Sequence, residues 1–154
     1  MPPGGGKPIV NLSAGKIALA TRGTILYGDP LCRIQGVSSD SRRIQGGDLF
    51  VPIQGPNFDG HRFIGEALAK GAAGSLAKRG WKEEARGADR PGKFLVGVDD
   101  PLQALGDLAH FWRRRHPRAK VVAITGSNGK TTTKEMLAAV LGTTFLGNAY
   151  QSSN

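Results

Sequence analysis

One stretch of this sequence concentrates the residue types that hold phosphate: "AITGSNGKTTTKEM", residues 123 to 136. An apolar run, Val121 to Ile124, enters a turn containing Gly126, Ser127, Asn128 and Gly129, followed by Lys130, Thr131 and Thr132. Glycines let a backbone turn tightly enough for successive N–H groups to converge on phosphate oxygens. A helix beginning near Lys130 adds the partial positive charge of its N-terminus. Lys130 is then placed to pair with terminal phosphates, and the Thr131 hydroxyl to coordinate Mg²⁺. The strict pattern G-x-x-x-x-G-K-[ST] is broken, because Ile124 stands where its first glycine belongs. The context keeps the phosphate reading: a strand-like run precedes the loop, and Met136, Leu137, Val140 and Leu141 follow at helical spacing.

A second candidate set lies upstream. "SSDSR" contributes Ser39, Ser41 and Arg42, and "GPNFDGH" contributes Asn57 and Phe58. Hydroxyls and a guanidinium suit a diphosphate or the edge of a base. On residue types alone "SSDSR" is equally a polar turn, and Asp59 and His61 suit the cap of the helix that follows them.

The elements that must carry these residues are legible in outline. Ser13 can cap a helix that Gly23 stops, and "TILYG" and "CRIQGV" read as short strands. Leu49 to Ile53 reads as a strand in which Pro52 requires an edge position or an early end. A helix through "RFIGEALAKGA" is stopped by Gly71, and "GSLAKRG" and "KFLVGV" read as strands on either side of the polar stretch "WKEEARGADRPG". "DDPLQALGDLAHFWRRRHP" is the clearest helix, with Asp100 as cap, Pro101 at the first position and Pro117 as stop. Leu102, Leu105, Leu108 or Ala109, and Trp112 form its apolar stripe. Arg113, Arg114 and Arg115 occupy its last turn, where cations favour the helix dipole.

Composition narrows the class. The 154 residues are 39% hydrophobic and 21% charged, as in a globular protein of one or two small domains. The single cysteine, Cys32, precludes an internal disulfide and fits a reducing compartment. No apolar stretch approaches the roughly 20 residues of a membrane span, and the opening "MPPGGGKP" lacks a signal-peptide core, so a cytoplasmic location is expected. The net charge of +9 favours anionic partners without choosing among nucleotides, sugar phosphates and nucleic acid.

"TGSNGKTTTKEM" resembles the variant phosphate loop of the Mur ligases, the ATP-dependent amide-forming enzymes of peptidoglycan precursor synthesis. The segment "GVSSDSRRIQGGDLFVPIQGPNFDGHRFIGEALAKGA" independently resembles that family's substrate-binding N-terminal region. The resemblance spans roughly residues 12 to 148. It implies an α/β fold: a small N-terminal substrate-binding α/β domain followed by the start of a P-loop ATPase domain. The implied divisions are a flexible leader at 1–11, a UDP-sugar domain at 12–100, a linking helix at 101–118 and a truncated ATP-binding domain at 119–154.

"KEM" and "LGDLAHFWRRR" are most similar to the branch that joins D-alanyl-D-alanine to UDP-N-acetylmuramoyl-tripeptide. The branch adding the third amino acid shares "DSR" and "FDGH" and is the alternative. On this resemblance, Ser39, Ser41, Arg42, Asn57 and Phe58 line the UDP-sugar site. Gly126, Ser127, Asn128, Gly129, Lys130, Thr131 and Thr132 bind ATP. Thr131 holds Mg²⁺, and Lys130 neutralises charge on the transferred phosphoryl group as an acyl phosphate forms. The family's downstream metal ligands, carbamylated lysine and C-terminal domain find no match, so the chain is expected to be inactive as a ligase by itself. "GNAYQSSN" matches the family's Gly/Asn-rich segment only loosely, through Asn148 and Asn154. Two other classes compete: a non-catalytic nucleotide or UDP-sugar binding module, and a basic nucleic-acid-binding protein using Arg113 to Lys120. No aromatic-rich motif accompanies those charges, which argues against specific nucleic-acid recognition.

Overall fold

The computed structural model describes residues 10–81, 91–118 and 120–144. Most of the expected leader, the centre of the polar stretch after Trp81, and the "GNAYQSSN" segment with Asn148 and Asn154 lie outside the described residues. The chain forms two units, Met1–His116 and Pro117–Asn154. The class is α/β.

In the first unit β1 (Leu12–Ser13) leads directly into α1 (Ala14–Thr21). Ser13 caps α1, its hydroxyl accepting from the Lys16 amide at 3.4 Å. The helix ends one residue before Gly23: Arg22 takes the left-handed conformation, φ 52°, and the Gly23 amide donates back to the Ala18 carbonyl. This is the six-to-one bond of a Schellman cap, in which the next residue along needs no left-handed dihedral.

β2 (Thr24–Tyr27) follows. The expected single strand in "CRIQGV" is two: β3 (Arg33–Ile34) pairs with β1, and β4 (Gly36–Ser38) joins the main sheet. β5 (Asp48–Phe50) ends before Pro52, as the missing N–H requires, yet it lies inside the sheet. β6 (Gln54–Gly55) and β7 (Phe58–Asp59) form a hairpin across Pro56 and Asn57. A 3₁₀ turn (Gly60–Phe63) runs into α2 (Ile64–Ala69), followed by β8 (Gly74–Lys78), β9 (Phe94–Val98) and α3 (Pro101–Arg114).

The main sheet has the order β2-β9-β8-β5-β4, parallel except for β2 at one edge. Period-two alternation sorts its side chains onto two faces. Leu49, Val51, Leu76, Phe94, Val96 and Val98 face one core with Ile17 of α1 and Leu108 of α3. Phe50, Ala77 and Leu95 face another with Ile64 and Leu68 of α2. The molecule thus has helices on both faces of a mostly parallel sheet, as βαβ crossovers demand.

α3 is capped by Asp100, which accepts from the Leu102 amide at 2.8 Å, with Pro101 in the first turn. It buries Ala104 and Leu108 in the first unit's core. Its stripe begins later than the sequence suggests, because Leu102 is exposed. The arginines of its last turn have local partners. Arg113 donates to the His116 carbonyl at 3.1 Å, and Arg115 lies over Phe111, 5.6 Å from the ring centre.

In the second unit α4 (Lys130–Thr144) forms as the glycine turn and helical pattern imply. The strand expected over Val121–Ile124 does not. A strand exists by pairing, and among the described residues nothing offers this run a ladder. Val121 stays 71% exposed and Met136 on α4 65% exposed. Among the described residues no helix is long and apolar enough to cross a membrane.

Candidate functional site

The carboxyl ends of β4 and β5 open onto a cleft of about 470 Å³ lined by Ser39, Asp40, Ser41, Arg42, Phe50, Phe58, Phe63 and Glu66. Ligands of open parallel sheets sit at this edge, where the chain leaves the strands in loops. Four of the five upstream candidates meet here: Ser39, Ser41, Arg42 and Phe58. Asn57 is not on the cleft wall; it occupies the exposed tip of the hairpin beside Phe58.

The "SSDSR" wall is built by local hydrogen bonding. The Ser38 hydroxyl donates to the Asp40 carbonyl and accepts from the Asp40 amide, which closes the turn after β4. Asp40 then caps a short 3₁₀ turn, Ser41–Arg43, through the Arg42 amide at 3.0 Å. The same carboxylate takes the Arg42 guanidinium in a fork, Nε to Oδ1 and Nη2 to Oδ2, both at 2.9 Å. The side-chain pair first and the backbone N–H second hold the Asp40 carboxyl down to about 2, and the side-chain pair with the Asp40 charge pushes Arg42 up. Two guanidinium N–H groups are thereby spent. The others remain directed outward on a side chain whose plane is fixed. Lys70 braces the turn from α2, its ammonium donating to the Ser41 carbonyl at 3.2 Å and to Glu66 at 2.5 Å.

The opposite wall is aromatic. Phe58 stacks on Phe63, ring centres 5.6 Å apart and planes 17° from parallel, and Phe58 remains mostly exposed. A flat, half-open aromatic face beside a fixed guanidinium suits a ligand with a ring and an anionic group. Sequence reasoning missed Asp40, Phe50, Phe63 and Glu66. The signal for Asp40 was available, since an Asp two residues before an Arg in a polar turn is an Asx cap with a cation in reach.

The glycine loop of the second unit turns at two glycines. Gly126 has φ 152° and Gly129 φ 75°, values at which any β-carbon is strained. Lys130 begins α4 and curls over the loop, Nζ donating to the carbonyls of Gly126 at 2.5 Å and Ser127 at 3.4 Å. Thr133 uses both its amide and its hydroxyl on the Gly129 carbonyl, each at 2.9 Å, which seats the helix start. An ammonium held over a glycine turn at a helix N-terminus fits the terminal phosphates of a nucleotide. For Mg²⁺ the loop offers the Thr131 hydroxyl, a hard oxygen ligand. Among the described residues no group of three or more His, Cys, Asp or Glu side chains gathers around a common point.

Residues 33–113, more than half of the chain and the whole of the cleft, match the Mur ligase family, catalytic domain. The chain belongs to the Mur ligase family. The glycine loop lies outside the matched segment of this Mur ligase chain.

The UDP-N-acetylmuramoyl-tripeptide--D-alanyl-D-alanine ligase of Treponema pallidum is 44% identical over 108 residues, covering 68% of this chain and 24% of that protein. The UDP-N-acetylmuramoyl-L-alanyl-D-glutamate--2,6-diaminopimelate ligase of Syntrophomonas wolfei is 42% identical over 119 residues, 75% of this chain and 23% of that one. A crystal structure of MurF from Acinetobacter baumannii superposes with a TM-score of 0.72 at 31% identity, over 89% of this chain and 28% of that chain. MurF from Thermotoga maritima in complex with ADP does so with a TM-score of 0.51 at 35% identity, over 70% of this chain and 23% of that chain. The Mur ligase chain thus spans about a quarter of the relatives it matches.

Proposed function

We propose that this chain is the N-terminal portion of an ATP-dependent ligase that joins D-alanyl-D-alanine to UDP-N-acetylmuramoyl-tripeptide in peptidoglycan precursor synthesis. The observation that carries the reading is the meeting of two separate motifs in one cleft. Ser39, Ser41 and Arg42 come from "SSDSR", Phe58 from "GPNFDGH", all within the segment shared with the family. In this reading the cleft takes the UDP end of the nucleotide sugar. Phe58 covers the uracil or the sugar face, and the free N–H groups of Arg42 hold the diphosphate. Asn57, next to Phe58, reaches the ligand from the hairpin tip.

Gly126 to Thr132 bind ATP in this reading, with Lys130 on the terminal phosphates and Thr131 on Mg²⁺. The ADP complex of the Thermotoga protein supports nucleotide binding. Bound there, magnesium would supply charge neutralisation for phosphoryl transfer, and Lys130 would add to it from the protein side. The enzyme works in the cytoplasm.

The Syntrophomonas relative favours a second reading, in which the acceptor is a dipeptide and the added group is the third amino acid. NMR titration tests the sites that both readings share: either nucleotide sugar should shift Ser41, Arg42 and Phe58, ATP with Mg²⁺ should shift Gly126 to Thr132, and shifts confined to the glycine loop would remove the nucleotide-sugar site. The two readings part in a ligation assay of the whole ligase, where turnover of the tripeptide nucleotide with D-alanyl-D-alanine supports the first and turnover of the dipeptide nucleotide with a third amino acid selects the second.

A further inference from the structure

His61 is 4% exposed, and both of its ring nitrogens are engaged. The Lys78 amide donates to Nε2 at 3.0 Å, and Nδ1 lies 2.7 Å from Asp59 Oδ1. A backbone N–H can only donate, so Nε2 accepts and the proton of the neutral ring sits on Nδ1, donated to Asp59. The need for this acceptor comes from the sheet. Alternate N–H groups of a parallel strand point to opposite neighbours. The Arg79 amide goes to Val98 of β9, so the Lys78 amide points toward the β5 side. β5 pairs with β8 only as far as Phe50 and Ser75, and the chain then turns away at Pro52. A buried amide without an acceptor is costly, and here the imidazole stands in for the missing strand.

The same imidazole fixes the cleft's aromatic wall. Asp59 Oδ1 accepts from both the backbone and the ring of His61, and Asp59 pairs with Gln54 across the hairpin, adjoining Phe58. From the Lys78 amide to the Phe58 ring the connection is short and made of directional bonds. Burial and full use of both nitrogens leave His61 no part in proton transfer to a ligand.

We propose that His61 is a positioning residue for the cleft, locked in the Nδ1–H tautomer, which ties the Phe58 hairpin to the end of β8. Its consequence for ligand rests on the nucleotide-sugar reading above; its consequence for the hairpin does not. Long-range ¹H–¹⁵N spectra of the chain should show a protonated Nδ1 and a bare Nε2 for His61, and the opposite tautomer overturns the proposal. His61→Asn ends at the Nδ1 position and cannot reach Lys78, so it should lose the Phe58–Phe63 ring NOEs. His61→Gln, whose carbonyl extends to the Nε2 position but which leaves no donor for Asp59 at the Nδ1 position, keeps only the Lys78 end of the tie and should lose them too. Retention of those NOEs in His61→Asn overturns the proposal. In calorimetry with UDP-N-acetylmuramoyl-tripeptide, His61→Asn and Phe58→Ala should each weaken binding roughly tenfold, the scale of one aromatic contact. The double variant should be no weaker than either, and additive losses overturn the coupling. If the wild-type chain shows no binding while His61→Asn still loses the ring NOEs, the nucleotide-sugar reading falls and the positioning role stands.

Discussion

Asp40 Oδ1 receives the Arg42 amide and the Arg42 Nε together, so one carboxylate sets both the backbone turn and the plane of the guanidinium. With its folded value at about 2, against 3.8 ordinarily, Asp40 favours the folded turn at every pH above its unfolded value. That contribution fades as pH falls from about 4 through about 2. A carboxyl-detected NMR titration should therefore place the Asp40 midpoint near 2. A midpoint near the ordinary carboxylate value would mean that the fork is not maintained in solution. Asp40→Asn should leave the fold intact while freeing Arg42, with nucleotide-sugar affinity falling several-fold because the guanidinium is no longer held. Lys70 offers a contrast. Its pair with Glu66 is partly exposed and contributes little, whereas its bond to the Ser41 carbonyl closes a turn across 29 residues of sequence separation. Lys70→Met should cost about 1 kcal/mol in urea unfolding, the net worth of a hydrogen bond, and Glu66→Gln close to nothing.

At the scale of the element, the hairpin β6–β7 returns so closely over its own approach that Gly60 has no room for a side chain. A β-carbon there would lie 2.7 Å from the Ile53 carbonyl oxygen and 2.8 Å from the Ile53 nitrogen, both backbone atoms that cannot swing aside. Gly60→Ala should destabilise by about 1–3 kcal/mol, as overpacking does, and should displace Phe58. Gly65 in α2 meets nothing within 4 Å, so Gly65→Ala should stabilise by up to about 1 kcal/mol through helix propensity. Denaturant melts of the two variants should move in opposite directions. The same elements show what a sequence can disclose. Ser13, Asp100 and the β8 and β9 runs were legible because caps and short apolar runs bounded by turn residues are local signals. Gly23 reads as the stop of α1, and the helix ends at Thr21 with Arg22 as the left-handed residue before that glycine. The depth at which α3 is buried depends on packing partners distant in sequence, and so does the convergence of "SSDSR" with Phe58. No local pattern encodes either. The role of His61 was hidden for the same reason, because its partner is an amide that β5 leaves unpaired 17 residues away.

Over the whole molecule, stability and chemistry divide between the two units. The first contains both hydrophobic cores; the second presents Val121, Val122, Met136 and Val140 to solvent and shows no strand beside its loop among the described residues. Amide exchange should accordingly be slowest in β8 and β9 and fast throughout 120–144. Nucleotide chemistry needs more than the loop. In the proposed reading Lys130 and the loop amides contact phosphate, but phosphoryl transfer also requires the acceptor carboxylate held in line with the leaving group. The chain spans about a quarter of the ligases it matches, and the described residues gather no carboxylate or histidine cluster for metal around the loop. The 154-residue chain should therefore bind ATP weakly, Lys130→Ala should weaken that binding further, and neither should release phosphate coupled to amide formation. The assay combines the chain with UDP-N-acetylmuramoyl-tripeptide, D-alanyl-D-alanine, ATP and Mg²⁺, reading phosphate and the pentapeptide product together. Product formation that Lys130→Ala abolishes would show that the loop and cleft alone suffice to align the reacting groups. Phosphate release without product would mean that the loop activates ATP for water, with no acceptor held in place.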